Sequence, residues 1–331
     1  MQLTGSSPNM ILGNLALFLI VICNLQLVTS ASGNFYDSNK HIMELDPSNF
    51  DRVVHRTNYT TLVEFYAPWC GYCKQLQPII EAAATKLEGL VQVATVNCDS
   101  DKNKSICSQY SIEGFPTLMV FRPPKIDFSK PESKRIKFSH HANELYPGER
   151  KLVPIVEFAL SRIKNYVKRI NSSKKLENVL SESSTHSLGL SAILFSQKDK
   201  TFNSQKSMAL DWLAQIRMFI MPNSKIQPIS ENSALSQTNP NIFLYLQEKL
   251  PKQMENKENS LVLFDTENDI YHEYDEGTFT KKDISKFINS HFHISPLEGP
   301  LSNRYRYISA IKNGKTPKRK QKKIKKFHDE L

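Results

Sequence analysis

Apolar and polar positions alternate in blocks of strand and helix length along most of the chain. Leu62–Tyr66 is an apolar run broken only by Glu64, and it predicts a strand. Ala67-Pro68-Trp69 interrupts it, and apolar residues at helical spacing then predict a helix over Trp69–Leu87. Pro78 lies inside that helix, where a kink is expected. His41–Leu45, Val91–Asn97 and Thr117–Arg122 read as further strands, Pro47–His55 as a helix, and Asn103–Tyr110 as a short helix. Leu152–Lys168 predicts an amphipathic helix with Leu152, Ile155, Val156, Ala159, Leu160, Ile163 and Val167 on one face. Arg122–Pro131 is proline-rich and reads as a surface loop. Strands and helices in alternation specify an α/β layered fold.

The second half shows a related order. Ser191–Phe195 reads as a strand, and Met208–Phe219 and Ile242–Leu250 as helices. Leu261–Asp265 and Ile270–Tyr274 form a hairpin pattern around Thr266-Glu267-Asn268-Asp269. Thr280–Phe292 is a helix with a capping pattern at Thr280 and Asp283. Trp212, Phe243 and Tyr245 are expected in the core.

At 331 residues and 40% hydrophobic content, the chain can build two domains, and global disorder is excluded. Near the start, the uninterrupted apolar run Leu15–Cys23 is only nine residues, too short for a spanning helix. Small residues at 29–33 follow it, so residues 1–32 read as a cleaved signal peptide. The charge of +10 is concentrated at the other end: nine Lys or Arg lie between Lys312 and Lys326. The rest is nearly balanced, so no nucleic-acid surface is implied; the basic run reads as a solvated spacer. It ends in His328-Asp329-Glu330-Leu331, the form of an endoplasmic reticulum retrieval signal.

Of the five cysteines, Cys23 falls within the leader. Cys70-Gly71-Tyr72-Cys73 stands where the predicted strand gives way to the helix. A zinc half-site would want a second close pair, and Cys98 and Cys107 are too far apart to supply a standard one; no metal is expected. A cysteine at a helix start meets unpaired N–H groups and the positive end of the dipole, which favour thiolate. Cys73 falls one turn deeper on the same face. An exposed, activated thiol beside a shielded resolving thiol suits disulfide exchange. Cys98 and Cys107 would form a staple worth about 2–3 kcal/mol if bridged; two free buried thiols are the alternative. Asn58, Asn103 and Asn171 open N-x-S/T sequons and are expected at the surface if glycosylated.

NFYDSNKHIMEL, NYTTLVEFYAPWCGYC, GFPTLMVFRPPKIDFSKP and the final HDEL resemble the protein disulfide isomerases of the thioredoxin superfamily. The resemblance runs from Asn34 to Lys168 and weakens beyond. It implies a catalytic thioredoxin domain over residues 34–170; the order of strand, helices, hairpin and helix in the second half fits a redox-inactive thioredoxin-like domain over 175–295, an unrelated α/β domain being the alternative, and a basic tail follows over 296–331. It assigns Cys70 and Cys73 as the redox pair, Glu64 as a buried carboxylate taking the Cys73 proton, and Arg122 as a cation that swings toward Cys73. Taken bare, Glu64 is equally a solvent-facing residue of a half-buried strand, and Arg122 an ordinary strand-end charge. Trp69, Gly71, Tyr72, Phe115 and a cis Pro116 would face the substrate, the last pairing its backbone with an extended peptide. Tyr72 departs from the family's usual histidine; a neutral phenol supplies no positive charge to a thiolate near neutral pH. No cofactor is implied. The partners implied are reduced or misoxidised secretory proteins, a flavoprotein thiol oxidase, a calnexin-type lectin chaperone and the retrieval-signal receptor, in the endoplasmic reticulum lumen. The competing function class is a chaperone or adaptor whose CxxC is incidental.

Overall fold

β2 (Thr61–Tyr66) is buried along its whole length and forms the centre of a five-stranded sheet. The computed structural model describes residues 35–36, 39–126, 130, 140–181, 189–275 and 278–315. The leader, residues 316–331 with the retrieval signal, and part of the Arg122–Pro131 loop lie outside the described residues.

With β1 (Met43–Glu44), β3 (Gln92–Asn97), β4 (Thr117–Arg122) and β5 (Ala142–Leu145), the first sheet has the order β1-β3-β2-β4-β5. β1 and β2 run parallel to β3, and β4 runs antiparallel to β2 and β5. Val63 and Phe65 point to one face and pack with Phe50, Val53, Val96, Ile106 and Phe121. Leu62, Glu64 and Tyr66 alternate to the other face. α1 (Gly71–Leu87) keeps its helix through Pro78 and packs against α2 (Leu152–Ser161). β5 was not placed by the periodicity: its residues are mostly exposed, so the strand carries no apolar signal.

α2 ends at Ser161 rather than Lys168. The Asn165 side chain accepts from the Val167 N–H at 3.0 Å, a local turn that competes with helix. The chain then enters β6 (Lys168–Arg169) of a second sheet with β7 (Leu190–Ser196), β8 (Arg217–Pro222), β9 (Asn259–Asp265) and β10 (Ile270–Glu273). Its order, β10-β9-β7-β8-β6, repeats the first sheet strand for strand when read backwards, with the same parallel and antiparallel pairs. The helix expected over Met208–Phe219 is two elements. α3 (Asn203–Asp211) stops, Ala214 takes a left-handed turn at φ 63°, and β8 follows. The apolar run 218–221 is consistent with a buried strand or helix, and its pairing beside β7 makes it a strand. Trp212 and Tyr245 are core residues, 0% and 2% exposed.

α4 (Lys281–Phe292) starts at Thr280, whose hydroxyl accepts from the Asp283 N–H. α5 (Asn303–Lys312) lies within the stretch expected to be tail. It packs instead on the first sheet's core through Tyr307 and Ile311, with the Arg52 guanidinium 3.6 Å over the Tyr307 ring. Cys98 and Cys107 are bonded, with Cα atoms 5.9 Å apart.

A buried polar network joins the two sheets. Asp211 is 0% exposed; it accepts from the Tyr59 hydroxyl and lies 2.9 Å from the Lys281 ammonium. Lys281 also donates to Ser207 Oγ and the Gly89 carbonyl at 2.7 and 2.9 Å. Glu298 accepts from Thr57 Oγ1 and the Asn58 N–H, and pairs with Arg304 at 3.3 Å. Arg304 in turn donates to the Arg52 and Val53 carbonyls. Removing one member would strand a buried charge.

Gly299 closes over this network at φ 72°, and a Cβ there would overlap the Asp211 carboxylate. Gly299→Ala is therefore expected to lower stability by ~2 kcal/mol or more through left-handed strain and overpacking. Thermal melting of the full chain measures this; an unchanged Tm would contradict it.

Candidate active site

Cys70 is the N-cap of α1, with extended backbone at φ −71°, ψ 117°, and its sulfur accepts from the Cys73 N–H at 3.2 Å. The unpaired N–H groups of the first turn and the helix dipole both act on this sulfur. The Cys70 thiol also donates to the Phe115 carbonyl at 3.5 Å, and the Phe115–Pro116 peptide is cis. Both cysteines are free thiols.

The expectation of an exposed Cys70 is corrected: it is only 6% exposed and Cys73 0%. The Phe115–Pro116 loop lies across the first sulfur. Solvent instead meets Trp69 and Tyr72, 66% and 68% exposed, which stand on either side of Cys70 in the chain. Trp69 is held by an indole hydrogen bond to Asp99 at 2.9 Å and by edge contact with Phe115. Gly71 has nothing within 4 Å of the position a Cβ would take, so that side of the pair is open.

Glu64 faces the same layer and is 1% exposed, so its solvent-facing alternative falls away. Burial pushes its carboxyl up to about 8; the hydrogen bond from Tyr36 and the more distant Arg150 charge pull it down, and Glu44 pushes it up. The Tyr36 hydroxyl donates to Oε2, while Oε1 has no hydrogen-bond partner. Burial, a hydrogen bond with Cys70 and the Glu64 charge together raise the Cys73 thiol well above its ordinary value. Glu64 and Cys73 are thus two buried groups, and the carboxylate charge acts on the thiol.

Arg122 is a second correction. It ends β4, about 16 Å along the strand from Thr117, the residue after Pro116, and its Nε lies 3.7 Å from Glu144. The cation that reaches the site is Arg150, which donates to the Pro116 carbonyl at 3.1 Å and lowers the Glu64 carboxyl. In sequence Arg150 is one charge in a polar loop before α2. Only the pairing of β5 with β4 brings it to Pro116.

The sequons divide. Asn171 is exposed. Asn58 and Asn103 are 7% and 1% exposed, and the Asn103 amide donates to the Asn97 carbonyl at 2.9 Å. The surface positions expected for these two are corrected, because a glycan on either would displace core packing.

The Thioredoxin family model matches residues 41–139. The chain is 48% identical over 300 residues to Protein disulfide-isomerase MPD1 of Saccharomyces cerevisiae, covering 90% of this chain and 93% of that one. It is 37% identical over 154 residues to Protein disulfide-isomerase A6 of Homo sapiens, covering 46% of this chain and 31% of that one. Among solved structures, the crystal structure of ERdj5 form II has a TM-score of 0.53 at 17% identity. It covers 78% of this chain and 30% of that one, a likeness of fold alone.

Two expectations follow from the geometry. Because the Glu64 carboxyl is raised from 4.5 to about 8, its contribution to stability is present below about pH 4.5 and lost as pH rises through about 8. Glu64→Gln should therefore gain Tm over the parent between about pH 5 and 8; a difference independent of pH would contradict it. Arg150→Ala should slow Cys73 attack on a Cys70–glutathione mixed disulfide roughly fivefold, the loss of about 1 kcal/mol of charge interaction. Arg122→Ala should not. Stopped-flow Trp69 fluorescence distinguishes them, and the reverse ranking would restore Arg122.

Proposed function

Since this chain belongs to the protein disulfide-isomerase family, we propose that it performs the family's thiol–disulfide exchange through Cys70 and Cys73, in the lumen of the endoplasmic reticulum. A protein disulfide isomerase acts on unfolded and misfolded client proteins. The observation that carries the site is Cys70 as N-cap, with the Cys73 N–H at 3.2 Å and the Phe115 carbonyl beside a cis Pro116 at 3.5 Å.

The Cys70 thiolate attacks one sulfur of a client disulfide. A Cys70–client S–S bond forms, the client S–S bond breaks, and the other client sulfur leaves as thiolate. An extended client lies along Phe115 and Pro116, where backbone can pair with backbone. For resolution, Cys73 passes its proton to Glu64 and attacks the Cys70 sulfur. The Cys70–Cys73 disulfide forms and the client leaves as thiolate, reduced by two electrons. Run backwards, the same steps oxidise a client dithiol. Arg150, acting through the Pro116 carbonyl and on Glu64, positions the loop and favours the ionised carboxylate. A flavoprotein thiol oxidase would restore the disulfide, and a calnexin-type lectin chaperone and the retrieval receptor are further partners. The leader-like residues 1–32 and the closing His328-Asp329-Glu330-Leu331 support the lumenal location. No helix among the described residues is long and apolar enough to cross a membrane.

The roles are tested by trapping. Cys73→Ala should accumulate mixed disulfides with secretory proteins through Cys70, visible as reducible adducts on non-reducing gels. Adducts that instead require Cys73 would reverse the assignment. Tyr72, exposed beside the pair, tunes it in the same scheme. Tyr72→His should raise the reduction potential measured against glutathione, by about 30 mV for each 1.4 kcal/mol of thiolate stabilisation. An unchanged or lower potential would remove Tyr72 from control of the site.

A further inference from the structure

Charged and titratable groups surround the Glu64 carboxyl, and they reach it in different ways. Glu44, at the end of β1, accepts from the Thr95 hydroxyl at 2.7 Å and from the Tyr66 hydroxyl at 3.2 Å, and it acts on Glu64 through its charge. Arg150, from the loop before α2, donates to the Pro116 carbonyl and likewise acts on Glu64 through its charge. Cys73 comes from α1, and the Glu64 charge acts on its thiol. Tyr36, which precedes β1, is the group that touches. Among the described residues it alone donates a hydrogen bond to Glu64, at Oε2. Oε1 is buried and has no hydrogen-bond partner.

The surroundings of Tyr36 keep it a donor. Its side chain is 2% exposed and its ring stands edge-on to Tyr66, with centroids 5.7 Å apart. Its carbonyl accepts from the Asn39 N–H at 2.9 Å, which anchors the backbone. Burial first, then the charge and hydrogen bond of Glu64 and the charges of Tyr66 and Glu81, hold the phenol far above its ordinary value, so the proton stays on oxygen. A phenol donates to one carboxyl oxygen whether the other is ionised or protonated. The Tyr36 bond therefore survives uptake of a proton at Oε1, and no partner has to rearrange while that proton moves. A carboxyl held at one oxygen also presents the other in a fixed orientation.

We propose that Tyr36 is a positioning residue of the resolving step: its hydroxyl anchors Glu64 Oε2 and leaves Oε1 as the acceptor for the Cys73 proton. The proposal rests on Glu64 as the base for Cys73. In that step the Cys73 S–H proton passes to Glu64 Oε1, and the Cys73 sulfur attacks Cys70 in the Cys70–client disulfide. The Cys70–Cys73 bond forms, the Cys70–client bond breaks, and the client sulfur leaves as thiolate. Tyr36 itself exchanges no proton. Its hydroxyl favours the ionised carboxylate, while the Glu44 charge opposes it, so removing either moves the Glu64 titration, in opposite directions. Cys70 takes its activation from the start of α1 and does not draw on Tyr36.

The test follows Cys73 attack on a Cys70–glutathione mixed disulfide of the full chain, by stopped-flow Trp69 fluorescence between about pH 5 and 9. The rate should rise with pH as Glu64 ionises. Tyr36→Phe keeps the ring; it should move that rise up by about one pH unit and slow the step about tenfold near pH 7. Glu44→Gln should move the rise down. Attack of Cys70 on oxidised glutathione should stay within about twofold in Tyr36→Phe. A purely structural loss would slow both attacks alike and leave the rise in place, and that result would overturn the proposal. So would a rise that moves down in Tyr36→Phe. Glu64→Gln separates the two readings. If it slows resolution and Tyr36→Phe does not, the positioning role alone falls; if it changes neither rate nor profile, the base falls with it. A further measurement needs no substitution. With tyrosine labelled at the phenolic carbon, the Tyr36 resonance of the reduced protein should shift as Glu64 titrates near pH 8. A resonance indifferent to that titration would overturn the proposal.

Discussion

β2 has no solvent face, and the chemistry of the first sheet depends on that. A strand covered on both sides is ordinarily apolar throughout, because a buried charge is costly. Glu64 breaks that rule at 1% exposure and meets the cost by holding its proton up to about pH 8 and accepting a hydrogen bond from Tyr36. Cys73, buried in the same layer, is raised by burial in the same way and further by the hydrogen bond with Cys70 and the Glu64 charge. Placing the two thiols at a helix start over that strand separates their environments. Cys70 sits at the helix cap beside a loop carbonyl, and Cys73 sits inside.

The rim has a different logic. Trp69 and Tyr72 are large and open to solvent, while Asp99 and Phe115 restrain the indole. Exposed aromatic surface beside a cis-proline loop is suited to extended, partly apolar chains of varied sequence. The second sheet keeps the same frame without the thiols. Leu194 stands in the second sheet at the register position that Glu64 holds in the first. The network around Asp211 and Glu298 holds the two sheets together.

Much of this was legible in the sequence because its signals are local. The β2–α1 unit follows from an apolar run, a proline break and helical spacing, and the redox pair follows from CxxC at that junction. Thr280 as a cap, the hairpin after Leu261 and the thioredoxin-type fold of the first half were readable for the same reason. Errors arose where the signal was short or shared. Met208–Phe219 has helical spacing over a stretch that is half strand, and nothing within it reveals the left-handed turn at Ala214. β5 carries too few apolar residues to register at all.

What only the tertiary structure decided involves residues far apart in the chain. Arg150 rather than Arg122 reaches Pro116 because β5 pairs with β4 and returns the chain to that end of the sheet. Tyr36 meets Glu64 across 28 residues, and Asn58 and Asn103 are buried by elements their sequons do not mention. α5 leaves the basic tail to cover the first core, and Lys281 crosses 192 residues to the Gly89 carbonyl. The sequence by itself determined which chemistry the chain carries, since reactive residue types and local periodicity are written side by side. Which charge serves that chemistry, and which asparagines lie buried, depends on sheet order and burial, and these are properties of the folded chain as a whole.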